Sequence, residues 1–96
     1  MNADHTLDVI RGYFLENART FGLRKMGLFG SLARHAANDN SDVDIVVDLD
    51  SSDYAVLARI KNDLEALLGR RVDIVRKRKN MNQLLRQRID EEAVYV

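Results

Sequence analysis

Residues 42–49 read Asp-Val-Asp-Ile-Val-Val-Asp-Leu, and this near-regular alternation constrains the fold more than any other stretch. In a strand, Val43, Ile45, Val47 and Leu49 share one face, while Asp42, Asp44, Val46 and Asp48 share the other. The apolar face requires a sheet whose side is covered by another layer. The acidic face needs a different explanation. Residues i and i+2 project the same way, about 6.5–7 Å apart along the backbone. Two unpaired carboxylates so placed repel and raise each other's pKa.

The remaining chain supplies the covering layer. Leu7, Ile10, Phe14, Ala18 and Phe21 predict an amphipathic helix, with Asp4 or Thr6 as cap and Gly22 as stop. Leu23–Phe29 predicts a short strand, residues 31–37 a brief helix, and residues 38–42 a polar loop. Residues 51–53, Ser-Ser-Asp, predict the cap of a second long helix. Its stripe is Val56, Leu57, Ile60, Leu64, Leu67 and Leu68, and Gly69 ends it. A third strand is expected over 70–75, and a last helix over 80–93 with Met81, Leu85, Ile89 and Ala93 facing inward. The expected fold class is therefore α/β (α+β): about three strands in a small mixed sheet, flanked by about four helices.

A chain of 96 residues is expected to form one domain, 1–96, with a modest core. Fifteen basic residues balance fifteen acidic ones, so no global field favours nucleic acid or an anionic membrane. The absence of cysteine excludes disulfides, thiolate zinc sites and a cysteine nucleophile. No signal-peptide pattern and no membrane-length apolar run are seen, and a cytoplasmic location is expected.

A divalent cation would remove the cost of the paired acids, and hard magnesium prefers carboxylate oxygens, water and substrate phosphates. Asp73 lies between Val72 and Ile74, so a strand beside 42–49 would bring a third carboxylate to the acidic face. Three acids on neighbouring strands can hold two metal ions around a phosphate. Gly30-Ser31 follows the first strand at the start of a helix, where glycine allows close backbone approach and free N–H groups favour anions. Ser31 adds a hydroxyl donor, Arg34, one turn on, could reach the same anion or brace the acidic strand, and Ser41, just before the acidic pair, is a further candidate donor to the nucleotide. Blander readings fit other residues. Asp48 and Asp50 continue a solvated face, and His5 and His35 lack partners at ligand spacing. The basic run 76–79 is a solvated strand end or a phosphate or acidic-partner contact, and Tyr13, Tyr54 and Tyr95 are packing residues.

In combination, Gly-Ser-Leu-Ala-Arg, the polar loop, Ser-Asp-Val-Asp-Ile-Val-Val and the later Val-Asp-Ile-Val resemble the nucleotidyltransferase superfamily with the DNA polymerase β-type fold. More narrowly, the chain looks like the minimal nucleotidyltransferase branch, the antitoxin half of HEPN–nucleotidyltransferase toxin–antitoxin pairs. The likeness runs from the first helix to the ending Leu-Leu-Arg-Gln-Arg-Ile-Asp-Glu-Glu-Ala-Val-Tyr-Val, and departs from the common pattern at His35-Ala36. The resemblance implies that Gly30 and Ser31 hold the triphosphate. It implies that Asp42 and Asp44 ligate two Mg²⁺ ions, and that Asp73 binds the catalytic one and favours deprotonation of the acceptor. It further implies transfer of AMP from ATP to a tyrosine of a HEPN ribonuclease toxin, which would be both substrate and hetero-oligomeric partner. Larger relatives carry an acceptor-binding domain, so the acceptor is expected on another macromolecule. Contact is expected through the last helix and residues 76–82. The competing readings are an antitoxin acting by occlusion, a small-molecule nucleotidyltransferase with a separate acceptor-binding subunit, and a ligand-free scaffold.

Overall fold

The computed structural model describes residues 2–34, 41–51 and 53–96. Along the chain run α1 (Ala3–Phe21), β1 (Leu23–Phe29), α2 (Gly30–Ala33), β2 (Val43–Leu49), α3 (Tyr54–Leu68), β3 (Val72–Arg76), α4 (Gln83–Glu92) and β4 (Val94–Tyr95). The four described strands form one mixed sheet in the order β3-β2-β1-β4. β1 is antiparallel to β2 and β4, and β2 is parallel to β3.

The alternation in β2 sets the layers. Val43, Ile45, Val47 and Leu49 join Met26 and Leu28 of β1 and Val72 of β3 under α1 and α3, which contribute Ile10, Ile60 and Leu64. On the opposite face, Val46 packs with Phe29 and with Ile89 of α4, and Val75, Met81, Leu85 and Ala93 border that smaller cluster. The register shifts between Leu23 and Lys25, which returns Leu23 to the larger core although its number has the parity of Phe29. Both long helices end at the expected glycines, Gly22 and Gly69, each left-handed.

The expected fold class holds, with four strands rather than about three. The addition is β4, where Val94 and Tyr95 pair with Leu28 and Gly27. Gly27 makes room for it: a Cβ there would meet the Tyr95 ring at 2.9 Å. The α1 cap is Asn2, whose side chain accepts from His5 N–H, rather than Asp4 or Thr6; Thr6 is buried and donates to the Asn2 carbonyl. Asp53 caps α3, as its segment implied. Leu67 lies outside the buried stripe at 58% exposure, and Tyr54 is a surface residue at 77%. Tyr13 is a packing residue, buried and donating to Asp63 at 2.8 Å. The described helix α2 starts at Gly30 and stops at Ala33. Its expected continuation over 35–37, most of the 38–42 loop, His35-Ala36 and Ser52 lie outside the described residues.

Candidate active site

Gly30 is held at φ +77°, a conformation that glycine adopts at little cost. Space demands the same residue, because a Cβ here would lie 2.0 Å from Asp44 Oδ2. The contact follows from register: Asp44 of β2 faces Phe29, the last residue of β1, so its carboxylate presses on the turn that follows. Ser31 is half-buried beside it. With a single turn, α2 contributes little macrodipole, so any anion-binding capacity rests on the turn's own N–H groups and neighbouring side chains.

On the other side of β2, Asp44 pairs in register with Asp73 of β3. Neighbouring strands lie about 4.8 Å apart, so both carboxylates rise from one face at short range. Burial pushes the Asp44 carboxyl above the usual carboxylate range, and the Asp73 and Asp42 charges push it further, while Arg88 and Arg34 oppose them. Asp44 is thus half-buried among like charges. That is the cost foreseen for the acidic face.

The strand starts that carry these acids are cross-tied. Val43 N–H donates to the Arg71 carbonyl at 2.9 Å, and Arg70 donates to the Ser41 carbonyl. Glu65 of α3 accepts from Val72 N–H at 2.9 Å, which fixes the start of β3 just before Asp73. Asp42 is turned toward Arg71, 3.2 Å away. That guanidinium is 82% exposed, so the pair is solvent-screened and easily exchanged for another cation.

The donor set suits a hard divalent cation. Among the described residues, no three His, Cys, Asp or Glu side chains already converge into a metal cage. Magnesium does not require one: it keeps several waters and takes one or two carboxylates plus substrate phosphate. Asp44 and Asp73 are the natural pair, with Asp42 available once Arg71 yields. Ser41 lies at the strand entrance, half-buried.

Arg34, which from its place one turn after Gly30 could reach the same anion or brace the acidic strand, is anchored on Glu92 of α4. Its Nη1 donates to both carboxylate oxygens of Glu92, each at 2.9 Å. Glu92 Oε2 also accepts from Gly30 N–H at 3.3 Å. Neither Glu92 nor Arg88 was found from sequence. Both lie in a charged helical segment that reads as a solvated face, and Glu92 meets its partners 58 and 62 positions away in the chain.

A separate concavity of about 320 Å³ lies at the free edge of β3, between the starts of α3 and α4. Leu57, Ile74, Val75, Met81 and Leu85 form its apolar lining, and Arg76 and Arg78 its basic part. None of the three aspartates lines it, so its size does not assign the chemistry there. Arg76 Nε is buried without a hydrogen-bond partner among the described residues. Within the basic run, Lys77 pairs with Asp90 at 3.5 Å, while Arg78 and Lys79 are exposed. Among the described residues, no helix is long and apolar enough to cross a membrane.

The family profile described as polymerase beta, nucleotidyltransferase matches residues 15–96. The chain is similar to the protein adenylyltransferase MntA of Thermococcus cleftensis, with 36% identity over 89 residues, covering 92% of this chain and 89% of that protein. It is also similar to a structure solved as a candidate minimal nucleotidyltransferase, with a TM-score of 0.78 at 36% identity over 98% of this chain and 95% of the other. The structure of a tri-AMPylated Shewanella oneidensis HEPN toxin in complex with an MNT antitoxin gives a TM-score of 0.70 over 96% of this chain and 69% of the matched one. Identity in that case is 22%, so the likeness is one of fold.

Proposed function

This chain belongs to the polymerase β-type nucleotidyltransferase family, and from that premise we propose that it is an antitoxin that transfers AMP from ATP to a tyrosine of a HEPN ribonuclease toxin. The observation that carries the reading is the convergence of Asp44 and Asp73, in register on adjacent strands, with a left-handed Gly30 pressed against Asp44. The adenylyltransferase name of the Thermococcus relative and the AMPylated state of the Shewanella toxin support the choice of group and acceptor.

Asp42, Asp44 and Asp73 would hold two Mg²⁺ ions, which when bound neutralise triphosphate charge and favour ionisation of the acceptor hydroxyl. The turn at Gly30 and Ser31, with Arg34, seats the triphosphate oxygens and leaves the α-phosphorus facing the acids. Ser41 adds a donor at the strand entrance. The acceptor's phenolic oxygen attacks the α-phosphorus in line, the bond to the β-phosphate oxygen breaks, and pyrophosphate leaves. The phenolic proton departs on the side of Asp73, which is exposed. Much of the rate comes from positioning and charge placement, as in other phosphoryl-type transfers.

The toxin is the expected binding partner as well as the substrate. Residues 76–82 and the exposed part of α4, including Leu84 at 73% exposure, are the surfaces assigned to it. The concavity under Arg76 and Arg78 lies between them and suits an acidic segment with an apolar anchor.

The test is transfer of label from α-³²P-ATP with Mg²⁺ to the protein encoded next to this one. Label on that protein, lost with Asp42→Asn/Asp44→Asn, is expected. A tight complex that silences the toxin without label would replace this reading with neutralisation by occlusion.

A further inference from the structure

Glu92 is the last residue of α4, and its side chain is 19% exposed. A helix-terminal carboxylate in a run of three acids would ordinarily lie in water. Here it bridges two groups of the Gly30 turn: the Gly30 N–H at 3.3 Å and Arg34 Nη1 at 2.9 Å. Resting on the phosphate-seat reading above, we propose that Glu92 is a positioning residue for the nucleotide, holding Arg34 and the glycine turn in the geometry that receives the triphosphate.

The hydrogen-bond inventory of Arg34 supports the assignment. A guanidinium has five donors in a planar fork. Both Glu92 oxygens are taken by one nitrogen, Nη1. Nε and Nη2 have no partner among the described residues, and the side chain is 47% exposed. One end of the fork is therefore anchored and three donors have no partner among the described residues, which fits a residue aimed at an anion rather than consumed by an ion pair. The anchor also neutralises Glu92, so a mostly buried carboxylate beside the turn does not repel the incoming phosphates. The Arg34 charge is also one of the two that oppose the upward push on the Asp44 carboxyl, Arg88 being the larger. Without Glu92 the guanidinium would sample many rotamers, and the triphosphate would have to order it on binding.

The arrangement has a structural consequence. The end of α4 leads straight into Ala93 and then β4, whose Tyr95 lies over Gly27. The Glu92 anchor therefore ties the nucleotide turn to α4, whose exposed part is assigned above to partner contact.

The experiment compares wild type, Glu92→Gln, Arg34→Lys and the double variant in the AMP-transfer assay, with thermal unfolding measured on the same material. Glutamine keeps the shape and can still accept from Gly30 N–H, but loses the charge that fixes Arg34. The expected result for Glu92→Gln is a KM for ATP raised about tenfold with kcat within about twofold, since the lost contact acts on binding. Arg34→Lys should raise KM by at least as much, because lysine lacks the planar fork. The double variant should be no worse than Arg34→Lys alone, since both changes act through one contact. A Glu92→Gln protein with wild-type KM, whatever its melting temperature, would overturn the inference and leave the adenylyltransferase reading standing. Additive effects in the double variant would overturn it too. A wild-type protein that neither binds ATP nor transfers label would overturn the underlying reading, and this inference with it.

Discussion

The two faces of the sheet are built to different standards. Under α1 and α3, Ile10, Met26, Leu28, Ile45, Val47, Ile60 and Leu64 are fully buried, and no charged side chain belongs to the cluster. Under α4, the buried cluster is Phe29, Val46 and Ile89, and the strand positions beside it hold Asp44 and Asp73. The first face is packed with hydrophobic residues of β1, β2 and β3. The second face gives up packing to place carboxylates where they are uncomfortable. The contrast teaches that one face holds the fold together so that the other can carry unfavourable charge.

Breaking the strong face should cost most. Leu64→Ala removes a fully buried side chain between α3 and the sheet and should cost about 2–5 kcal/mol in urea unfolding. Leu84→Ala, on the exposed side of α4, should change stability by less than about 0.5 kcal/mol. A large Leu84 effect would mean that its side chain is packed rather than exposed.

The weak face should respond in activity rather than stability. Gly30→Ala puts a methyl 2.0 Å from Asp44 Oδ2 and strains a left-handed backbone. Displacing that carboxylate by about 1 Å should lower AMP transfer about a hundredfold in a steady-state assay. A smaller effect is expected at Tyr13, whose hydroxyl donates to Asp63 between α1 and α3. Tyr13→Phe should cost about 1 kcal/mol at neutral pH. Burial, then the Asp63 hydrogen bond and charge, hold the Tyr13 hydroxyl above its usual value. The folded state therefore favours the protonated phenol. Its contribution is complete below a pH of about 10 and is lost as pH rises toward the folded-state value, so the Tyr13→Phe penalty should shrink in that alkaline window. Least of all, Asp50→Asn at the exposed Arg24 ion pair should shift stability by no more than about 0.5 kcal/mol, read by the same unfolding curves.

Much of this contrast is legible in the chain itself. The period-two pattern of 42–49 separates Ile45 and Val47 from Asp44, and Met81, Leu85 and Ile89 mark the apolar stripe that packs with Phe29 and Val46. Parity likewise puts Asp73 beside Asp44, given that the strands pair. The features that escape are those with no local signature. β4 is two residues long, too short for a pattern, and exists because Tyr95 fits the space left by Gly27. Leu67 extends the α3 stripe around the helix beyond the width that the sheet covers. Glu92 and Arg88 look like ordinary surface charges until α4 is laid across the sheet, because their roles depend on partners far away in sequence.

The central claim is that Asp44 is kept at a cost to the fold. Its folded-state pKa is raised, so its ionised form destabilises the protein above that value. The penalty fades as pH falls through the raised value toward the ordinary carboxylate range. The direct measurement is the melting temperature of wild type and Asp44→Asn at neutral pH, with and without Mg²⁺ and ATP. Without ligand the variant should melt higher than wild type, with the gap closing in acid. With ligand the wild type should gain and the variant should not. An Asp44→Asn protein that melts lower than wild type without ligand would contradict the account, because Asp44 would then stabilise the fold.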